Sequence, residues 1–155
     1  MKRKYVIIIL LAFTAGIAQG CLFEKDGCTS ACASNYDSSA DNDDGSCTGC
    51  TDPAATNYCP GADFDNGTCI LPCEANQTGK VYFINNSNSN STYDVIWDGV
   101  KIFTVAPGQE SSTITVSANI QHTLVFRFTN TSNNACTPST PVIPQCETWW
   151  FNCTG

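Results

Sequence analysis

Apolar residues are spread unevenly along this chain, and each stretch predicts a different kind of structure. Residues 5–18 form a largely apolar run behind Lys2, Arg3 and Lys4. At 14 residues it is shorter than the roughly 20 that a membrane-spanning helix needs, and it fits the apolar core of a secretory signal. Between residues 27 and 69 no apolar run is long enough to build a core. From residue 73 onward, β-branched and aromatic side chains appear in short alternating stretches. Residues 80–84, 93–97, 100–105, 112–116, 123–128 and 148–151 are predicted strands. Asp98-Gly99 joins the second and third as a two-residue hairpin turn, and Pro107-Gly108 marks another turn. Ile114 and Val116 share one face of their strand. Leu124, Phe126 and Phe128 share one face of the next, with Val125 and Arg127 opposite. No segment beyond the apolar run has a helical period. The predicted fold is mainly β: a small antiparallel β-sandwich preceded by two loop-rich, disulfide-stapled repeats.

The repeats are visible residue by residue. Residues 27–47 and 49–69 align without gaps at a period of 22. Cys28 matches Cys50, Asn35-Tyr36 matches Asn57-Tyr58, Asp43 matches Asp65, Gly45 matches Gly67 and Cys47 matches Cys69. With so little apolar material, each copy must be held by disulfides, by metal or by both. The copies resemble a Cys- and Asp-rich repeat found in tandem on secreted and surface proteins of marine and Bacteroidetes-like bacteria, with a consensus near CTDPxAxNYxxxAxxDDGSC. More distantly they resemble thrombospondin type 3 repeats, which bind calcium. The match is specific at Cys-Thr, Asn-Tyr and Asp-Gly-x-Cys. It departs at the inner cysteine, which is Cys32 in one copy and Cys59 in the other, so the family's disulfide pattern does not carry over whole.

Cysteine number and charge then set the compartment. The 155 residues include 11 cysteines, a count that implies an oxidising environment. Cys21 follows the apolar run and a small residue, and the stretch resembles a bacterial lipobox with Ala18 where Leu is usual. Two readings follow: ordinary cleavage after Gly20, giving a soluble secreted chain, or lipidation of Cys21. The second leaves an even set to pair: Cys28, Cys32, Cys47, Cys50, Cys59, Cys69, Cys73, Cys136, Cys146 and Cys153. Glu24-Lys25-Asp26 also resembles the charged tags of surface-exported lipoproteins. Expected segments are a signal at 1–20, a tether at 21–26, repeats at 27–72 and a β-sandwich at 73–155. Without the signal, four cations face 14 acids, a formal charge of −10, and nine of the acids lie between Glu24 and Asp65. A chain this acidic, with 14% charged residues, has no basic patch for nucleic acid.

Candidate chemistry is sparse. Asp41, Asp43 and Asp44 precede Gly45, and Asp63, Asp65 and Asn66 precede Gly67, so calcium is one candidate cofactor. The spacing is not that of an EF-hand, and the competing reading is a solvated Asp/Asn-Gly turn beside a disulfide. Cys47-Thr48-Gly49-Cys50 fits zinc poorly, because the spacing to Cys69 and Cys73 is long and an oxidising compartment favours disulfides, and it fits redox chemistry poorly, because no strand–turn–helix pattern surrounds it. Cys73–Cys153 and Cys136–Cys146 are the expected bridges of the sandwich. His122, at the start of a strand, is expected to be exposed. Trp149 and Trp150 are adjacent on a strand, so one is expected to face inward, and the other either covers the Pro-rich loop or is free for a sugar or a protein surface. The strand order also resembles small β-sandwich modules of bacterial surface lipoproteins. The expected function is therefore non-enzymatic: a lipid-anchored outer-membrane or cell-surface protein whose acidic repeats carry an adhesion or binding module. The alternatives are a structural subunit of an envelope assembly and, with no catalytic set, a small secreted enzyme.

Overall fold

A computed structural model describes residues 24–155, so the signal segment and Cys21 lie outside the described residues. The described residues open with two structurally equivalent turns of backbone. Strands β1 (Asp26–Gly27) and β2 (Asn42–Asp43) pair in the first repeat, and β3 (Thr48–Gly49) and β4 (Phe64–Asp65) pair in the second. Each element lies 22 residues after its counterpart, so the sequence period is also a structural period.

The same period governs the hydrogen bonds. Ser34 N–H donates to Thr48 O, and Thr56 N–H donates to Ile70 O, both at 2.8 Å. Asn35 Oδ1 accepts from Thr48 N–H while its Nδ2 donates to Ser46 O, at 2.8 and 2.7 Å. Asn57 repeats this with Ile70 N–H and Thr68 O, at 2.8 and 2.6 Å. The Asn of the Asn-Tyr motif is thus a latch that ties each copy to the backbone leaving it. A primary amide has both a donor and an acceptor, which this position requires. Cys28–Cys47 and Cys50–Cys69 close the two copies, and Cys32–Cys59 joins one copy to the other. The buried centre here is Cys28, Ala33, Cys47 and Cys59, so sulfur takes the place of an apolar core.

A single helical turn, α1 (Pro72–Ala75), leads out of the repeats, where no helix was expected. Glu74 Oε2 accepts the Leu71 N–H at 2.8 Å, and Pro72 occupies the first turn, where its missing N–H costs nothing. Then come β5 (Thr78–Asn85), β6 (Tyr93–Trp97), β7 (Val100–Val105), β8 (Ile114–Ser117), β9 (Leu124–Phe128) and β10 (Thr148–Cys153). All six predicted strands are present within a few residues of their expected bounds. They form two three-stranded sheets, ordered β10-β5-β8 and β7-β6-β9. The sheets pack face to face: Val81 and Phe83 from one meet Val95, Trp97, Leu124 and Phe126 from the other in a single buried cluster.

Local chemistry explains the connections. Asp98 and Gly99 both have positive φ, 49° and 80°, as a primed two-residue hairpin requires. Gly108 sits at φ 70°, turning the chain out of β7. An extra residue in β7, Ile102, shifts the β6–β7 register between Val95 and Ile96. Not every pairing is antiparallel. β10 runs parallel to β5, from Thr148↔Lys80 to Cys153↔Asn85, after the long connection 129–147. That direction corrects the expected bridges. Parallel strands start side by side, so Cys73 ahead of β5 meets Cys146 ahead of β10. Cys153, at the far end of β10, bonds Cys136 in the connection.

Candidate functional site

The acidic turns of the repeats are built largely from their own backbone. Asp43 Oδ1 accepts from Gly45 N–H at 3.0 Å, and Asp65 Oδ1 accepts from Gly67 N–H at 2.8 Å. Asp44 and Asn66 accept from Ser46 and Thr68 N–H, at 3.0 and 3.1 Å. Asp41 and Asp63 accept from Lys25 and Cys47 N–H, at 3.0 and 3.1 Å. Four of the six side chains therefore hold their own turns, while Asp41 and Asp63 tie those turns to backbone 16 residues earlier. Asp43 and Asp63 are the two brought together, with Cys47 Sγ, their candidate ligand atoms lying within 4.8 Å of one another. Cys47 is disulfide-bonded and offers no thiolate. Nearby, Lys25 pairs with Asp37 at 2.6 Å. Hydrogen bonds from Lys25 and from Ser39 hold the Asp37 carboxyl well below the usual carboxylate range.

His122 is buried at 4% exposure, contrary to expectation. Its Nδ1 lies 2.7 Å from Asp98 Oδ2 and its Nε2 lies 2.8 Å from Ser117 O. The ring lies over Trp97, with centroids 4.7 Å apart. Asp98 Oδ1 also accepts from Thr123 N–H at 2.8 Å. The hairpin-turn aspartate thus reaches across to the β8–β9 connection and fastens it. Burial pushes the Asp98 carboxyl up, but the bonds from His122 and Thr123 outweigh it and hold the group below its ordinary value. A carboxylate with a lowered folded-state pKa adds stability above its unfolded pKa of about 4, and that stability is lost as pH falls through the folded value. Acid titration of unfolding should therefore show a loss below about pH 4 that is smaller in Asp98→Asn, which begins less stable at neutral pH. Equal acid sensitivity in the two proteins would remove Asp98 from this role.

The two tryptophans divide between the faces of the β10-β5-β8 sheet. Register places Trp149 beside Val81, on the inner face, and Trp150 beside Tyr82, on the outer face. The expected alternation holds, but the inward residue does not enter the core. Trp149 sits near the open start of the strand, 39% exposed, with Nε1 donating to Glu147 Oε2 at 2.7 Å. Trp150 is 61% exposed. On the outer face it is flanked by Thr148 and Asn152 along β10, with Lys80 and Tyr82 on β5 beside it. Two shallow clefts meet here and share Glu147 and Thr148. One, of 440 Å³, is lined by those residues with Trp149 and Trp150. The other, of 480 Å³, runs toward Leu71, Asn76 and Lys80.

The resulting surface combines a flat aromatic ring with hydroxyl, amide, ammonium and carboxylate groups, the set that recognises polyhydroxylated or amphipathic ligands. Sequence reasoning named Trp149 and Trp150 as candidates but not Lys80, Tyr82 or Glu147. Lys80 and Tyr82 come beside β10 through the parallel β5–β10 pairing, which no local signal announces, whereas Glu147 is two residues from Trp149 in the sequence. Asn85 is a buried structural element. Asn85 Nδ2 donates to Ser91 O and Val105 O, at 2.9 and 3.0 Å, and its Oδ1 accepts from Ser87 N–H at 3.1 Å. No protein-family model matches this chain, and no curated protein matches it.

Proposed function

We propose that this chain is a non-enzymatic cell-surface lipoprotein, anchored through Cys21, whose acidic disulfide-stapled repeats hold a β-sandwich away from the membrane as a carbohydrate- or protein-binding adhesion module. The observation that carries the reading is Trp150, a large aromatic left 61% exposed on a sheet face among polar side chains. An exposed indole is costly to leave in water and well suited to stack on the C–H face of a sugar ring. Thr148, Asn152 and Lys80 would meet the hydroxyls. The non-enzymatic reading is supported by the chemistry already committed elsewhere. Both His122 nitrogens are engaged within the fold, and ten cysteines are paired. A diacylglycerol-type anchor would supply the more than one chain that stable membrane attachment needs. A divalent cation such as calcium enters this reading in the repeats, where Asp43 and Asp63 meet.

A glycan array tests the site. The native protein should bind a restricted set of glycans. Trp150→Ala should weaken that binding by about 30-fold, the loss typical of an aromatic hot spot, with an unchanged unfolding midpoint. Binding that survives the substitution would move the site elsewhere, and no binding to any glycan would favour a protein ligand.

A further inference from the structure

We propose that the free edge of β10 pairs antiparallel with β10 of a second copy of this chain, about a two-fold axis at Trp150. The inference is independent of any ligand on the outer face. Exposed sheet edges usually carry a device that blocks pairing, and three of the four edges of the sandwich do. β9 is covered by bridges from Asn134 and Ser139. β7 carries exposed Lys101 and the register shift at Ile102. β8 is only four residues long. β10 spans six residues, Thr-Trp-Trp-Phe-Asn-Cys, with no charge, proline or bulge.

Its hydrogen bonding fixes how a partner would sit. Lys80 N–H donates to Glu147 O at one end of the β5–β10 ladder, and Asn86 N–H donates to Cys153 O at the other. A parallel ladder uses every second residue, so the odd-numbered residues of β10 face β5. The backbone groups of Thr148, Trp150 and Asn152 point to the open side, where among the described residues no strand pairs with β10. An antiparallel copy centred on Trp150 sets Trp150 against Trp150 and Thr148 against Asn152, and satisfies every one of these groups. No like charges fall opposite each other in that register. Residues 73–155 carry three cations and five acids, so little net charge opposes the approach, and the acidity stays on the repeats. The product is one continuous six-stranded sheet, with the two exposed indoles adjacent on its outer face.

Sedimentation of the full-length protein in mild detergent reads the result. The native chain should pass from monomer to dimer across the micromolar range. Trp150→Lys and Trp150→Glu should each weaken dimerisation by about tenfold or more, because like charges then meet on the axis. An equimolar mixture of the two should restore it. As a second pair, Thr148→Glu with Asn152→Lys in one chain should still dimerise, whereas Thr148→Glu with Asn152→Glu should not. A native chain that stays monomeric overturns the proposal, as would be expected if the edge takes a foreign peptide. So does a dimer that both single variants retain, or a mixture that fails to re-form it.

Discussion

Phe83→Ala is expected to remove most of the stability of the β-sandwich. Phe83 lies at the middle of β5, the central strand of its sheet, with no exposed surface. Its ring makes an edge contact with Trp97 at 5.7 Å, and Phe103, Phe126 and Phe151 each lie at 6.2 Å. These partners come from β6, β7, β9 and β10, so one side chain ties both sheets together. Deleting a buried phenyl group costs about 3–5 kcal/mol, in lost transfer energy plus the cavity left behind. A module of this size has a total stability of roughly 4–12 kcal/mol, so the loss is comparable with the whole. Urea unfolding followed by near-ultraviolet circular dichroism, with the disulfides intact, should show the midpoint fall to a small fraction of its native value. Trp150→Ala, on the outer face, should stay within about 0.5 kcal/mol of native. A Phe83→Ala loss below about 1 kcal/mol would mean that the two sheets do not share this core.

The strands were readable because a half-buried sheet imprints its period of two on the sequence. Leu124 and Phe126 alternate with Val125 and Arg127 as expected, and the Asp-Gly turn carried the left-handed geometry its residues favour. The repeats were readable for a different reason. Their stability depends on a few residues that cannot be exchanged, namely half-cystines, turn glycines and the latching asparagines, so the copies stay recognisable. What was hidden depends on residues far apart in sequence. The bridges Cys73–Cys146 and Cys136–Cys153 follow from β10 running parallel to β5. An antiparallel β10 would have brought Cys153 toward the start of β5, as expected. The direction is decided in the 129–147 connection, which has no periodic signal. His122 was misjudged for the same reason: its partner Asp98 is 24 residues away and does double duty in a turn. The β5 neighbours of Trp150, Lys80 and Tyr82, were equally out of reach, because register across a parallel pair is a tertiary property.

Reduction of the disulfides should unfold residues 27–69 completely while the sandwich keeps part of its structure. The repeat segment has four two-residue strands and a buried centre made of half-cystines and Ala33. Neither the ladders nor the apolar surface can offset the chain entropy of ordering it. Cys28–Cys47 and Cys50–Cys69 each span 19 residues, and closing a loop of that size contributes about 3 kcal/mol. The sandwich keeps an apolar cluster that owes little to sulfur, including Val81, Val95, Leu124 and Ile143. Hydrogen exchange after reduction in excess chelator should show full loss of protection at Ser34, Thr48, Thr56 and Ile70. Protection at Val81, Val95 and Phe126 should fall but persist. Removing single bridges separates the contributions. Cys32→Ser with Cys59→Ser should leave both copies locally protected, since each keeps its own bridge and its asparagine latch. Cys28→Ser with Cys47→Ser should erase protection in the first copy, because the latch of Asn35 closes on the segment that this bridge anchors. The chelator makes the result discriminating. Repeats that stay protected when reduced only if calcium is restored would be held by the Asp43–Asp63 carboxylates, whereas repeats that unfold in calcium and chelator alike are held by sulfur.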